Sequence, residues 1–319
     1  MSILGKLPAF NRNIFVALTF CGAAACAQPY AFVSNPQGIS AVNLARNTIA
    51  GRKTISGAGL SGLAITPDGA HLYVAEESKS TVAVVRTLDG NVTATIPVGT
   101  SPFQVAITPD GTAAYVTNQN SNNVSVINTV TGTVVATIAV GAKPGGLAVT
   151  PDGRKVLVAN RSSNTISVID AAFNSVTATW AGSPGPYGIA ISPEGTVAYV
   201  TNQYDNSISF YRLSNGSILS SIVGFAVPTA IAVTPDGARL YVANSSASSI
   251  SVVSTPTRAI IATIPTGLFP TAVVVSFDGD HAYATSVIGS LLEIDTNTNT
   301  IVHTGPNVGL DPLSIALLH

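Results

Sequence analysis

Short runs of alternating hydrophobic and polar residues recur along this chain, separated by segments rich in turn-forming residues. In the unit from Gly99 to Val140 four such runs follow one another: Gln104–Ile107, Ala114–Thr117, Val124–Ile127 and Val134–Ile138. A run with one apolar face predicts a half-buried β-strand. The segments between the runs contain Pro, Asp, Asn and Gly, which favour tight turns. We therefore predict four antiparallel strands in this unit.

The turn between the first and second strands, Thr-Pro-Asp-Gly in its commonest form, sets a strict period. Its six copies begin at Thr66, Thr108, Thr150, Ser192, Thr234 and Ser276, always 42 residues apart. A fixed period of this length indicates an array of identical supersecondary units. Four antiparallel strands in every unit are typical of the blades of a β-propeller.

The ends of the chain predict how the ring closes. The first unit opens with a second strand, Tyr30–Ser34, which lacks a first strand before it. The chain ends with a lone first strand, Leu313–Leu318. Pairing these two would remove the open sheet edges that a β protein has to protect. The first unit, which lacks this turn, brings the six units that carry it to seven. The fold class is therefore all-β: a seven-bladed β-propeller of four-stranded antiparallel blades, spanning 28–319 as one domain, in which the C-terminal strand completes blade one.

Residues 1–27 differ from the repeats. Lys6 and Arg12 precede a short apolar run, and the segment ends Ala25-Cys26-Ala27. This pattern predicts a secretory signal peptide that is cleaved after Ala27, and hence export to the periplasm, the medium or the cell surface. The alternative is a lipoprotein signal with Cys26 as the lipidated residue, but Ala23 stands where such signals favour Leu.

Charge and cysteine content narrow the choice of partners. Both cysteines lie within residues 1–27, so the exported chain would have neither a thiol nor a disulfide. It would keep fifteen acidic and twelve basic residues, a net charge of −3 that gives no general attraction to nucleic acid. We expect no transmembrane segment in the mature protein, no cofactor, and a monomer.

The ends of the second strands and the connections between units carry a family resemblance. Tyr115-Val-Thr-Asn118 and Tyr199-Val-Thr-Asn202, together with the Thr-Pro-Asp-Gly turns and the Gly-x-x-Pro connections, resemble the YVTN-repeat family of β-propellers. The resemblance implies secreted, periplasmic or surface-layer proteins, some of which bind ligands or nucleic acid. The wider group of WD40/YVTN-like propellers includes lactonases and electron-transfer subunits.

Sequence motifs for catalysis are weak. The four histidines show no metal-ligand spacing, so we predict no metal site. No Gly-x-Ser-x-Gly elbow is present, and we assign no catalytic residue. Trp180 could stack on a base, but it lies 42 residues after Ile138, a core position of the fourth strand. We therefore predict that Trp180 packs in the core.

Candidate binding residues stand where the repeat departs from its own consensus. In a propeller, the turns between second and third strands and the connections between blades open on one face, and function is carried by loops on a rigid scaffold. The hypothetical ligand-binding residues at this channel mouth are Glu76, Lys79, Phe103, Gln119, Arg161, Tyr187, Gln203, Tyr204 and Asp205.

Three functions remain open at this point. The first is a binding or scaffold protein that presents the channel mouth to a small ligand or a protein. The second is a lactonase-like hydrolase, for which Glu76, Arg161 and Asp205 are the only candidate residues. The third is a single-stranded nucleic-acid-binding propeller, which the net charge disfavours. The first interpretation is favoured, so the chain is expected to bind rather than to catalyse.

Overall fold

Seven four-stranded antiparallel sheets account for nearly all of the regular structure in the computed structural model, which describes residues 29–318 apart from 56 and 58. The predicted seven-bladed propeller is therefore confirmed. The predicted signal peptide, residues 1–27, lies outside the described residues. No helix in the described part of the chain is both long and apolar enough to cross a bilayer.

The strands follow the 42-residue period. Blade 1 contains β1 (Tyr30–Asn35), β2 (Gly38–Asn43) and β3 (Thr48–Thr54). Blade 2 contains β4 (Leu60–Ile65), β5 (His71–Glu76), β6 (Thr81–Arg86) and β7 (Val92–Pro97), with a 3-10 turn at Glu77–Lys79. Blade 3 contains β8 (Pro102–Ile107), β9 (Ala113–Asn118), β10 (Asn123–Asn128) and β11 (Thr133–Ala139). Blade 4 contains β12 (Pro144–Val149), β13 (Lys155–Asn160), β14 (Thr165–Asp170) and β15 (Ser175–Ala181).

The remaining blades repeat this order. Blade 5 contains β16 (Pro186–Ile191), β17 (Val197–Asn202), β18 (Ser207–Arg212) and β19 (Ile218–Val223). Blade 6 contains β20 (Pro228–Val233), β21 (Arg239–Asn244), β22 (Ser249–Ser254) and β23 (Ala259–Pro265). Blade 7 contains β24 (Pro270–Val275), β25 (His281–Ser286), β26 (Ser290–Asp295) and β27 (Thr300–Asn307), and the last strand is β28 (Ser314–Leu318).

The ring closes as the sequence predicts. Strand β28 pairs antiparallel with β1, with Ala316 opposite Phe32 and Ser314 opposite Ser34. The order of the first sheet is therefore β28-β1-β2-β3. Blade 1 is built from both ends of the propeller domain, and it shares an apolar cluster with blade 7.

Hydrogen bonds within the turn explain the Thr-Pro-Asp-Gly sequence. In the first copy, the Thr66 hydroxyl donates to the Asp68 carboxylate at 2.5 Å and accepts from the backbone N–H of His71 at 3.0 Å. Asp68 also accepts from the N–H of Ala70 at 2.9 Å. Gly69 has a φ of 70°, a conformation that disfavours side chains with a Cβ. The threonine bond is the largest cause of the lowered pKa of Asp68, and the next cause is the bond from Ala70.

The second-strand motif has a structural purpose at its last two positions. The hydroxyl of Thr117 donates to the carbonyl of Gly145 in the next blade at 2.9 Å, which joins the two blades near the axis. The Nδ2 group of Asn118 donates to Ser125 of the third strand at 3.0 Å. A Cβ on Gly99 would lie 2.7 Å from Asn118, so the glycine of the Gly-x-x-Pro connection leaves room for this asparagine.

The core lies between the blades. Each apolar cluster combines residues of two neighbouring blades; Tyr115 of blade 3, for example, packs with Leu147 and Val156 of blade 4. Trp180 is buried and stacks on Tyr211 of the next blade at 6.0 Å between ring centroids, which confirms its predicted core position. Burying a large apolar side chain contributes about 1.5–3 kcal/mol.

Candidate functional site

The second-to-third-strand turns and the blade connections lie together on one face, which we call the mouth face. The backbone N–H of a turn residue donates to the carbonyl of the preceding connection at the same place in successive blades. Three such bonds are Gln119 to Ser101 (2.9 Å), Arg161 to Lys143 (3.1 Å) and Gln203 to Gly185 (2.8 Å). On the other face, the third-to-fourth-strand turn bonds the Thr-Pro-Asp-Gly turn, as Ala171 N–H does with the carbonyl of Arg154 at 2.9 Å.

Arg161 lies between two tyrosine rings on the mouth face. Its guanidinium carbon is 5.6 Å from the ring centroid of Tyr187 and 5.3 Å from that of Tyr204. Cations within about 6 Å of an aromatic face are held by the ring quadrupole. Phe103 meets Tyr187 edge to face, with 5.8 Å between ring centroids. Four predicted site residues, drawn from blades 3, 4 and 5, therefore form one contiguous group.

A glycine makes room for the outer tyrosine. Gly185 has a φ of 69°, and a Cβ there would lie 2.7 Å from the Tyr204 ring. The Tyr204 N–H donates to the carbonyl of Pro184 at 3.3 Å, which anchors the turn over the connection. The ring thus packs over the connection, while the residue keeps 58% of its surface exposed to solvent.

The polar groups around Arg161 leave its charge unpaired. None of the ion pairs in the described part of the chain includes Arg161. Its Nε atom is buried and has no hydrogen-bond partner there. Burial raises the pKa of the Tyr187 hydroxyl; the Arg161 charge opposes that rise, and Glu77 adds to it. The site therefore offers a stacked cation with free donors beside a protonated phenol.

A cavity of about 490 Å³ opens next to this group. Phe103 and Tyr187 belong to its wall, and nearly all of the rest comes from the innermost strands of blades 1 and 3 to 7. Those strands contain no charged residue. Representative apolar wall residues are Leu147, Ile189, Ile231, Val273 and Ile315. Volumes of about 300–1,000 Å³ with apolar walls are usual for small-molecule sites.

The remaining predicted site residues lie on the same face but are not all available to a ligand. Glu76 is 2% exposed, and its carboxylate accepts from Lys79 at 3.1 Å and from Thr81 at 2.6 Å. Gln203 is buried at 9% exposure. Asp205 is exposed and accepts from Ser207 at 2.7 Å. Gln119 is half-buried in the turn that bonds Ser101.

The sequence interpretation missed a second polar cluster, between blades 7 and 1. Glu293 contacts two histidines, His303 Nδ1 at 2.9 Å and His281 Nε2 at 3.6 Å, and accepts from the Tyr283 hydroxyl at 3.3 Å. The side chain of Glu293 is only 17% exposed. A cavity of about 480 Å³, which also includes Leu318, adjoins the cluster. Among residues 29–318, apart from 56 and 58, no group of three or more His, Cys, Asp or Glu side chains has a geometry suited to a metal ion.

A comparison of the repeats with one another could have revealed this cluster. The third-strand residue opposite the second-strand tyrosine, or opposite Leu157 in blade 4, is apolar in blades 2 to 6: Val84, Val126, Val168, Phe210 and Val252. Glu293 takes that place opposite Tyr283. The turn before it contains three residues, 287–289, where blade 6 has four, 245–248. A search at strict 42-residue spacing therefore falls one residue past Glu293.

Comparisons with known proteins agree with the propeller fold. The family model described as YNCE-like beta-propeller matches residues 111–236, and the one described as Lactonase, 7-bladed beta-propeller, matches residues 33–138. The chain is a β-propeller. Each model matches less than half of the chain. A search of curated proteins found no match.

Two solved structures are similar in shape. The crystal structure of a functionally unknown protein from Desulfotomaculum acetoxidans shares 20% identity with a TM-score of 0.81, over 91% of this chain and 99% of that one. Hydrazine synthase from Kuenenia stuttgartiensis shares 21% identity with a TM-score of 0.56, over 76% of this chain and 99% of that one. At these identities the similarity extends to the fold alone.

Proposed function

We propose that this propeller is an exported binding protein that holds a ligand at the mouth of its central channel. One observation carries the proposal: Arg161 is held between Tyr187 and Tyr204 with its Nε buried and unpartnered in the described structure. A buried donor without an acceptor costs about 1–3 kcal/mol. A ligand that supplies an acceptor would recover that cost, so the arrangement favours a bound state.

The test measures binding to the intact mature protein and to two arginine variants. A panel of acids, amines and neutral compounds is screened by thermal shift and then by calorimetry. Arg161→Ala should weaken binding of the panel's ligands by about 1.5–3 kcal/mol through loss of a charge-assisted bond. Its melting temperature should change little, because the residue lies on a turn.

Arg154→Ala is the matched control. Arg154 is an exposed arginine in the Thr-Pro-Asp-Gly turn on the opposite face, and its removal should leave binding unchanged. Unchanged binding by the Arg161 variant together with a loss in the Arg154 variant would place the site on the face opposite the mouth. If no panel member bound in an Arg161-dependent way, the mouth would not be a ligand site.

Export is the second part of this proposal and has its own measurement. The basic residues, apolar run and Ala-Cys-Ala ending of residues 1–27 support cleavage after Ala27. The intact mass of the exported protein should correspond to a chain that begins at Gln28. A mass that retains Met1, or one that includes a lipid on Cys26, would contradict cleavage at this position.

A lactonase-like hydrolase is the alternative, because a model of seven-bladed lactonases matches residues 33–138. Of its candidate residues, Glu76 is engaged by Lys79 and Thr81, and Asp205 by Ser207. Hydrolysis of a lactone panel, followed by pH-stat, tests it. Turnover that Glu76→Gln abolishes while folding is retained would favour the enzyme over the binding protein.

A further inference from the structure

We infer that the ligand of the mouth is an amphiphilic monocarboxylate, with its carboxylate on Arg161 and its apolar body in the channel cavity. The inference rests on the proposed function and gives it a chemical class. It draws on three features: the geometry of the guanidinium, the charge around it, and the walls of the cavity beside it.

The guanidinium is oriented for a planar acceptor. Tyr187 and Tyr204 lie 5.6 Å and 5.3 Å from the Arg161 guanidinium carbon, and this stacking leaves the edge of the group, where its N–H donors lie, for hydrogen bonding. The Nε donor is buried and has no acceptor among the described residues. A carboxylate accepts two parallel bonds from such an edge, a match that an ammonium or a hydroxyl cannot reproduce.

The charge around Arg161 favours a ligand with one negative charge. Glu77 acts on the neighbouring Tyr187 hydroxyl, and Asp205 follows Tyr204 directly in the chain. Lys143, whose carbonyl accepts from the backbone N–H of Arg161, donates its ammonium to Asn120. Arg161 supplies a single unpaired positive charge, and the nearby carboxylates oppose any further negative charge. The guanidinium can pair with one carboxylate, whereas a phosphate dianion or a nucleic-acid strand would bring more negative charge than one guanidinium balances.

The apolar part of the ligand has a place because the head site and the cavity share a wall. Tyr187 contacts Arg161 with its ring and also lines the cavity of about 490 Å³. Phe103, edge to face with Tyr187, lines it as well. Beyond them the innermost strands carry no charge, so a second charged group on the ligand would be desolvated without a partner. A single polar end and an apolar body fit both regions.

The experiment measures calorimetric binding of decanoate, kept below its critical micelle concentration, to the mature protein. Acetate lacks the apolar body, decanol lacks the charge and decylamine reverses it. Each should bind at least about 10-fold more weakly than decanoate, since a charge-assisted bond or the burial of several CH₂ groups is worth more than about 1.4 kcal/mol. Arg161→Ala should weaken decanoate binding about 10- to 100-fold, Arg161→Lys less, and Arg154→Ala not at all.

A cavity variant tests the position of the apolar body. Ala230 lines the cavity, and Ala230→Leu should narrow it. This variant should weaken decanoate binding and leave acetate binding unchanged, with melting checked to confirm folding. Equal binding of decanol and decanoate, or unchanged decanoate binding in Arg161→Ala, would overturn the inference.

Failure of the inference is distinguishable from failure of the proposed function. If a thymidine oligonucleotide or another panel compound bound in an Arg161-dependent way while decanoate did not, the mouth would remain a binding site and the carboxylate class would be wrong. If nothing bound in an Arg161-dependent way, both the carboxylate class and the proposed binding function would be wrong.

Discussion

The chain departs from its repeat in two very different places. One is the mouth face at Arg161, called the rim below, and the other is the junction of blades 7 and 1 at Glu293, called the seam. Arg161 occupies a turn position that varies from blade to blade: Glu77, Gln119, Gln203, Ser245 and Val287 are its counterparts. Glu293 occupies a strand position that is apolar in blades 2 to 6. The rim residue displaces no core atom, whereas the seam residue puts a carboxylate where neighbouring blades pack.

The difference teaches where a propeller can change without loss of stability. A turn on a rigid scaffold can exchange side chains at little cost, because the strands below it make the same contacts. A carboxylate between blades needs partners, because burying an unpaired charge is costly. Glu293 has them in His281, His303 and Tyr283. Rim substitutions should therefore act on binding and seam substitutions on folding.

The largest effect is expected at the seam from removal of residues 314–319. This deletion exposes the edge of β1, which pairs with β28 from Tyr30 to Ser34. Each buried backbone group left without a partner costs about 1–3 kcal/mol, so the sum approaches the 5–15 kcal/mol stability of a typical domain. The truncated protein should aggregate or melt far below the full chain in a circular dichroism scan. Deletion of His319 alone is the control, and unchanged melting of the long truncation would refute closure through β28.

The next largest effect should come from restoring the repeat consensus at the seam. Glu293→Val with His303→Ala recreates the pair that Val84 and Ala94 form in blade 2. The Glu293 side chain is mostly buried, whereas that of His303 keeps 61% of its surface exposed, so solvent weakens their attraction. Replacing this half-exposed pair by packed apolar residues should be stabilising by about 1 kcal/mol. Urea unfolding should move to a higher midpoint.

The reciprocal substitution in blade 3 is the matched control for this prediction. Val126→Glu with Ala136→His places the same pair opposite Tyr115 in a blade where Ala113 stands at the position of His281, so the new carboxylate lacks the second histidine and the urea midpoint should fall. If the control lowered the urea midpoint by no more than the blade 7 variant raised it, the seam would have no special tolerance for the pair.

A smaller effect is expected at the rim from Tyr204→Ala. This variant removes one of the two rings that hold Arg161, and an exposed cation–π contact is worth about 0.5–1 kcal/mol. Decanoate binding should weaken about twofold to fivefold by calorimetry, with no change in melting. Tyr204→Phe keeps the ring and should bind like the parent protein. A loss as large as that of Arg161→Ala would instead indicate direct contact between the Tyr204 hydroxyl and the ligand.

The smallest effect per residue should come from the turns on the opposite face. Bonds from Thr150 and from the Arg154 N–H lower the pKa of Asp152 below its usual 3.8, and the equivalent aspartates behave alike. Because the folded-state pKa is depressed, the stabilisation is fully present above about pH 3.8 and is lost as the pH falls through the lower, folded value. These carboxylates are exposed, so solvent reduces each contribution.

Changing all five aspartates to Asn tests this prediction. The variant keeps an acceptor in each turn but cannot titrate, so its urea midpoint should fall less between pH 5 and pH 2 than that of the parent. Parallel pH profiles for the two proteins would mean that the turn carboxylates add nothing to acid stability. The equivalent residues are Asp68, Asp110, Asp152, Asp236 and Asp278.

The sequence by itself determined the fold. Strand order, blade number and closure by the last strand follow from a period of 42 residues, because each turn and each half-buried strand is specified by residues within a few positions of one another. The positions of Phe103, Arg161, Tyr187 and Tyr204 within the repeat likewise predicted that they lie on one face. Whether this face binds a ligand stays a prediction.

Only the tertiary structure decided which polar and charged side chains contact one another. Arg161 lies between two tyrosines, and the Glu76 carboxylate accepts from Lys79 and Thr81. Glu293 contacts His281 and His303. The Arg161 contacts join blade 4 to blade 5, and the Glu76 contacts lie within blade 2. The Glu293 contacts lie within blade 7, after a turn that is one residue shorter than in blade 6. Repeat spacing specifies the backbone of each blade. The partner that a polar side chain bonds depends instead on packing and on the cost of desolvation in the assembled propeller.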